Sequence, residues 1–148
     1  MKKCVRRILG VVIFLGSIFI FVGVLRWIDK SPKKPYANIE VSDIKNVYVL
    51  HGVHDPYRLT DDEKETFLFL LKGIVIYQKD NSYTGYDGVN ARQFYVEFEN
   101  GRTVFLAPAN PFFIIDKKGY RTEYVPCDEL AKFRSNIIET EFTNWSDY

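Results

Sequence analysis

The chain has few of the side chains that carry out chemistry in small enzymes. Only two histidines and two cysteines occur among its 148 residues. It contains no G-x-S-x-G elbow, no H-E-x-x-H pair and no glycine-rich phosphate loop, which are local patterns of common hydrolases, zinc proteases and nucleotide-binding proteins. Acidic residues are numerous, but no pair is set apart for acid–base work. The sequence therefore offers no motif that names a reaction.

The two cysteines lie on either side of the longest hydrophobic run. Cys4 precedes the run, and Cys127 lies near the other end of the chain. If the run crosses a membrane, the two thiols cannot form an internal disulfide, and the domain beyond it is held together by its core. We predict that Cys127 is a small buried hydrophobe, because free cysteine is among the most buried residue types.

The hydrophobic run, residues 8–25, contains no charge and no proline. Eighteen helical residues span roughly 27 Å, close to the thickness of a bilayer core. Four basic residues precede the run, and no pair of small residues follows it as a signal-peptidase site would require. We therefore predict an uncleaved transmembrane signal anchor within residues 1–28 that contacts the lipid bilayer through residues 8–28. A cleaved signal peptide is the alternative.

The flanking charges predict the orientation of this anchor. Positive charge favours the cytoplasmic side, and the tail before the run is short and basic. Basic residues also follow the run, so the prediction depends on the shortness of that tail. We expect a single-pass cell-membrane protein with a cytoplasmic N-terminus and with residues 31–148 outside the cytoplasm.

Beyond residue 30 the chain is acidic. This part holds 14 of the 20 Lys and Arg residues but 18 of the 19 Asp and Glu residues, a net charge of −4. An acidic domain without a basic stripe argues against nucleic acid as a partner. Its 118 residues are enough for one domain with a core of its own. Nothing in the pattern predicts a cofactor.

Two segments show the pattern of amphipathic helices. In residues 60–72, Thr60 and Glu63 form a capping box, and Gly73 is expected to end the helix in a left-handed conformation. Residues 126–139 carry apolar side chains at helical spacing, with Asp128 and Glu129 in the predicted first turn.

Alternating or β-branched segments predict the strands. Residues 93–99 alternate most clearly, and Asn100-Gly101 is the preferred dipeptide of a two-residue type I′ hairpin turn. Another turn is expected at residues 116–119. The predicted strands are residues 44–50, 74–77, 93–99, 102–106, 112–115 and 120–125.

The predicted element order is β-α-β-β-β-β-β-α. Hairpins dominate, so we expect an α+β domain over residues 44–140, an antiparallel sheet of about five to six strands with two helices packed on one face. Residues 29–43, with their prolines, are interpreted as a fairly stiff linker. Residues 141–148 are interpreted as a loosely ordered tail in which Phe142 and Trp145 are able to dock.

One turn gathers possible metal ligands. His51, His54 and Asp55 include both histidines of the chain, and two imidazoles with a carboxylate are zinc ligands in other proteins. The alternative is an ordinary solvent-exposed turn, and catalytic zinc sites need three protein ligands. Residues 80–85 resemble the start of a calcium loop, but the position of its bidentate glutamate is Ala91, which argues against calcium.

The long segment 79–91 suggests a binding loop. Tyr83, Tyr86, Asp87 and Asn90 combine rigid aromatic area with adaptable polar groups, a mixture found in binding surfaces. Connections of this length without their own structure are often functional. The alternative is a flexible connection whose tyrosines lie on the sheet.

The basic start and hydrophobic span, the hairpin FYVEFENGRTV and the segment FFIIDKKGYRTEYVP together resemble small membrane-anchored extracytoplasmic domains of unknown function, common in Gram-positive bacteria. The resemblance covers most of the chain and implies a cell-envelope location, but it provides no functional residues. The leading hypothesis is a non-catalytic binding module, an accessory, regulatory or immunity-like protein with an envelope or secreted protein as partner. The alternative is a small envelope metal-dependent enzyme that uses the His51/His54/Asp55 turn.

Overall fold

The computed structural model divides the chain into two units, Met1–Ser31 and Pro32–Tyr148. In the first unit Ser17, Ile18 and Ile20 are helical, and the rest of the predicted membrane span lies outside the described residues. Within the described part of the chain, no helix has both the length and the apolar character needed to cross a membrane. The residues that the structure describes are 17–18, 20, 31–80, 82 and 92–142.

The second unit is an α+β domain, which confirms the predicted class. Its described residues form a seven-stranded antiparallel sheet and two α-helices. The elements are β1 (Ile44–His51), β2 (Tyr57–Arg58), α1 (Asp61–Lys72), β3 (Ile76–Lys79), β4 (Arg92–Phe98), β5 (Thr103–Ala109), β6 (Phe112–Ile115), β7 (Lys118–Thr122) and α2 (Tyr124–Phe142).

The strands are ordered β2-β1-β4-β5-β6-β7-β3 across the sheet. The sheet has more strands than the five to six predicted, because the turn after β1 folds back and pairs Tyr57 with Val49 and Arg58 with Tyr48. A two-residue strand leaves too short a pattern to be recognised in the sequence.

Helix α1 begins as predicted. The Thr60 hydroxyl accepts the Glu63 amide at 3.4 Å, and the Thr60 amide donates to the Glu63 carboxylate at 2.8 Å. The predicted left-handed cap at Gly73 is wrong, because this residue has φ −73° and ψ −17°. Its amide donates to the carbonyls of Leu70 and Leu71, so right-handed geometry satisfies the end of the helix.

Helix α2 is longer than the predicted residues 126–139. It starts at Tyr124, inside the segment predicted as the last strand, and it continues to Phe142, inside the predicted tail. Asp128 therefore lies beyond the first turn, where it pairs with Lys132 one turn later at 2.8 Å. Residues 143–148 of the predicted tail lie outside the described residues.

The β4–β5 hairpin does not use the predicted type I′ turn. Gly101 has φ +80°, but Asn100 is not in the left-handed region. The Gly101 amide donates to the Phe98 carbonyl at 3.0 Å, and the Phe98 amide donates to the Arg102 carbonyl at 2.8 Å. This is a three-residue loop, in which a type I turn is followed by a left-handed glycine.

Two consecutive left-handed residues occur instead in the β6–β7 hairpin. Asp116 and Lys117 have φ 47° and 67° and connect the paired residues Ile115 and Lys118. The Asp116 carboxylate accepts the amide of Phe105 on β5 at 2.9 Å. This contact to a neighbouring strand helps to hold a turn that lacks the expected glycine, because left-handed geometry is costly for residues with a Cβ.

The core lies between the sheet and both helices. The ring of Phe94 on β4 lies 4.7 Å from Phe67 on α1 and 6.3 Å from Phe133 on α2, measured between ring centroids. Both helices therefore pack on the same face of the sheet. Cys127 on α2 is fully buried, as predicted. Buried strand residues of this face include Val47, Val49, Phe94, Val96, Val104 and Leu106.

The segment interpreted as a linker contributes to the domain. Lys33 pairs with Ile76 of β3 through two backbone hydrogen bonds of 2.7 and 2.8 Å. Tyr36 is only 4% exposed and packs edge-on against Phe113, with 6.4 Å between the ring centroids. Within this segment, Lys33 is thus part of the sheet edge and Tyr36 is part of the core.

Candidate functional site

Most of the predicted binding loop, residues 79–91, lies outside the residues that the structure describes. Tyr83, Tyr86, Asp87 and Asn90 all fall in this part of the chain. Their role in binding a partner stays a prediction.

The two histidines lie together at the end of β1. The rings of His51 and His54 are stacked, with centroids 5.5 Å apart and planes 12° from parallel. The ring of Phe142, the last residue of α2, lies 5.4 Å from His51 and 5.8 Å from His54. This aromatic cluster joins the end of α2 to the turn after β1.

The stacked arrangement does not form a shared zinc site. The lone pair of an imidazole nitrogen lies in the ring plane, so two nearly parallel rings do not direct their nitrogens at a common point. A zinc ion also requires Zn–N distances of about 2.0 Å from both rings. Within the described residues, no group of three or more His, Cys, Asp or Glu side chains is placed to hold a metal ion. In this geometry the two imidazoles do not converge on a common metal position, and the enzyme alternative stays a hypothesis.

Burial and nearby positive charge disfavour the charged form of His51. Burial of the ring, the positive charge of Arg92 and the neighbouring His54 together lower the pKa of His51 below 6.5. The Nδ1 atom of His51 is buried and has no hydrogen-bond partner within the described chain. A neutral, stacked imidazole suits packing against Phe142 more than proton transfer.

The carboxylate of Glu63 accepts hydrogen bonds from two neighbouring residues. It accepts the Tyr57 hydroxyl at 3.1 Å in addition to the amide of Thr60. Burial and this hydrogen bond raise the pKa of Tyr57 to about 12, so the phenol does not titrate near neutral pH. The pair holds β2 against the start of α1.

A buried thiol and a partly buried guanidinium on α2 also have structural partners. The Cys127 thiol donates to the Phe112 carbonyl at 3.5 Å, and burial raises the pKa of this thiol to about 11. The guanidinium of Arg134 donates to the carbonyls of Arg92 at 2.8 Å and Pro108 at 3.4 Å. Burial lowers the pKa of Arg134 to about 10, so the side chain stays charged and ties α2 to β4 and β5.

The opposite face of the sheet carries three aromatic residues in contact, which we call the aromatic row: Tyr48, Tyr95 and Phe105. They are direct neighbours on β1, β4 and β5. The ring centroids of Tyr48 and Tyr95 are 5.9 Å apart, and those of Tyr95 and Phe105 are 4.9 Å apart. Phe105 is 37% exposed, and the two tyrosines are half-buried.

The aromatic row faces away from both helices. Each of its residues alternates along its strand with residues of the buried core, and successive side chains of a strand point to opposite faces. A polar pair borders the row, in which the Asn46 amide donates to the Glu97 carboxylate at 2.8 Å. The result is an aromatic surface bordered by a polar pair and held in place by cross-strand packing.

Sequence reasoning missed the aromatic row. The alternation of residues 93–99 placed Tyr95 on the outer face, but it did not identify the neighbours of that residue. Tyr48 and Phe105 join it only through the register of two strand pairs. The signal in the sequence is an aromatic residue at an outward-facing position of each of the three strands. A search for such positions would have found the row.

Comparison of the chain with protein-family models, curated proteins and solved structures found no match in any of the three. The candidate site is therefore identified from the geometry of this chain alone.

Proposed function

We propose that this protein is a membrane-anchored, extracytoplasmic, non-catalytic binding module that uses the aromatic row to bind an envelope or secreted protein. The observation that carries the proposal is the row itself, in which the central Tyr95 ring contacts the rings of Tyr48 and Phe105 on the sheet face opposite the helices. Such a module fits the class of accessory, regulatory or immunity-like proteins of the cell envelope.

The chemistry of the row favours a protein partner. Tyrosine and phenylalanine are enriched in protein interfaces, where they supply large contact area at low conformational cost. The half-buried rings are already held by their neighbours, so little side-chain freedom is lost on binding. The Asn46–Glu97 pair beside them resembles the polar rim that surrounds the apolar centre of an interface.

The proposed location is supported by the N-terminal sequence. The uncharged run of residues 8–25 has the length of a membrane span. The described residues Ile18 and Ile20 of this run are helical, with 43% and 70% of their surface exposed. Exposed isoleucines on a helix suit contact with lipid chains.

Protein capture with matched variants tests the proposed binding surface. The full chain, purified in mild detergent, serves as bait for envelope extract and culture medium from the source cells. Tyr95→Thr removes the central ring and introduces a β-branched residue that suits a strand. Phe69→Ala is the control, because Phe69 is 76% exposed on α1 and lies outside the row.

We expect a partner that binds the native chain and the Phe69 variant but not the Tyr95 variant. Loss of a central aromatic residue weakens an interface by about 2 kcal/mol, roughly thirtyfold in affinity, which titration of the purified partner would measure. Equal binding to all three proteins, or recovery of no partner, would contradict the proposal. A Tyr83→Ala/Tyr86→Ala variant in the same experiment tests the predicted loop separately.

Protease treatment of intact cells tests the location. A C-terminal tag is expected to be digested together with a known outer-face protein, whereas a cytoplasmic marker survives. Survival of the tag under these conditions would contradict the predicted orientation.

A further inference from the structure

A surface cleft of about 660 Å³ lies where the segment before β1 meets the β4–β5 hairpin. Its apolar lining includes Tyr36, Phe98 and Ile115, and two of these belong to the buried core. The volume lies within the range of about 300–1,000 Å³ that is typical of small-molecule sites. The cleft is distinct from the aromatic row and shares no residue with it.

Two positively charged side chains line the cleft. Lys34 and Arg102 both line it, and neither forms an ion pair with any residue in the described part of the chain. The guanidinium carbon of Arg102 lies 5.1 Å from the centroid of the Phe98 ring. This stacking restrains the guanidinium, whose fork geometry matches a carboxylate.

The cleft also contains negative charge. Glu99 and Asp43 line it, and the Glu99 amide donates to the Asp43 carbonyl at 2.9 Å. One carboxylate oxygen of Asp43 already accepts the amide of Glu40 at 2.8 Å. Glu99 is therefore the acid better placed to bind a cationic group.

We propose that the cleft binds a zwitterionic ligand with an apolar side chain, either a free amino acid or a short peptide. Its carboxylate binds Arg102 and Lys34, its ammonium group binds Glu99, and its side chain packs on the apolar lining. A simple anion would meet the two carboxylates of the cleft, and a neutral apolar molecule would cover the charged groups of Arg102, Lys34 and Glu99 without pairing with them. A ligand with both charges and an apolar group complements the whole surface.

Titration of the full chain in mild detergent tests this inference, with the dipeptide Ala-Phe as the probe. Calorimetry measures the affinity, and amide NMR signals report the location. We expect saturable binding at millimolar concentrations, with shifts concentrated at Tyr36, Phe98 and Ile115. Free phenylalanine in a parallel titration distinguishes the two sources: equal affinity indicates an amino acid site, and weaker binding indicates a peptide site.

Variants and blocked probes make the test specific. Arg102→Gln is expected to weaken Ala-Phe about tenfold, the usual scale for loss of one charge-assisted hydrogen bond, and Lys34→Gln is expected to act in the same direction. Arg58→Gln is the matched control, because this exposed arginine of β2 lies outside the cleft. The N-acetyl and C-terminal amide forms of Ala-Phe, which each lack one charge, are expected to bind more weakly.

Three results would overturn the inference. These are the absence of saturable shifts in the cleft, equal affinity in the Arg102 variant and the native chain, or a blocked dipeptide that binds as tightly as Ala-Phe. The amide spectrum of each variant shows whether it keeps the native fold. None of these probes or variants involves the aromatic row. A negative result for the cleft therefore does not contradict the proposed protein-binding surface, which the capture experiment tests separately.

Discussion

Tyr36 provides a direct test of where the domain begins. Replacing it with alanine removes the ring of a residue that is only 4% exposed. The edge-on contact with Phe113 is lost at the same time. Deletion of a buried aromatic side chain costs about 3–5 kcal/mol in other cores. We expect Tyr36→Ala to lower the free energy of unfolding by about 3 kcal/mol, the lower end of that range, because the ring borders an open cleft.

Urea unfolding of residues 32–148, followed by circular dichroism, measures this change. These residues form a compact unit with their own core. Tyr36→Phe is the first control, because it keeps the ring and is expected to cost less than about 1 kcal/mol. Pro35→Ala is the second control, since this neighbour is exposed and surface changes stay within about 0.5 kcal/mol.

The opposite result is expected if the segment before β1 only connects the domain to an anchor. In that case Tyr36→Ala would change the free energy of unfolding as little as Pro35→Ala. A loss below about 1 kcal/mol, with an unchanged dependence on urea, would refute the packing argument.

Three further predictions concern the turns, the first helix and the histidine cluster. Lys117→Gly is expected to raise the free energy of unfolding by about 1 kcal/mol, because glycine relieves the left-handed strain; urea unfolding checks this, and a decrease would contradict it. Thr60→Ala is expected to cost about 1 kcal/mol through loss of the cap, whereas Thr60→Ser in the same assay should cost less. Burial lowers the pKa of His51 below 6.5 in the folded state, so the unfolded chain binds more protons and stability falls as the pH drops below 6.5. Urea unfolding from about pH 8 to about pH 5 should show a smaller loss for His51→Gln than for the native chain; parallel curves would refute this.

Local chemistry in the sequence predicted several elements correctly. Helix α1 follows from the reciprocal Thr60–Glu63 cap, because both hydrogen bonds form between residues three positions apart. Strand β4 follows from its alternation of apolar and polar residues, because a half-buried strand repeats every two residues. Burial of Cys127 follows from the low polarity of a neutral thiol. Each of these predictions depends on interactions within one short segment.

Turn conformations were less predictable, because distant contacts shift small local preferences. Asn100-Gly101 has the composition of a type I′ turn, yet only the glycine is left-handed. Asp116 and Lys117 lack that composition but adopt left-handed geometry, with the Asp116 carboxylate bonded to a strand that lies outside their own hairpin. The preference between turn types amounts to about 1 kcal/mol, and a single hydrogen bond supplies a similar amount.

The sequence by itself determined the α+β class, the antiparallel hairpins, the capped helix and the uncharged N-terminal run, since each is encoded in the periodicity or composition of neighbouring residues. Only the tertiary structure decided that Tyr36 belongs to the core, that His51 and His54 stack on Phe142, and that the aromatic row and the charged cleft exist. Those features join residues far apart in the chain. Their formation depends on strand order and register, which are set by how the whole apolar surface is buried together.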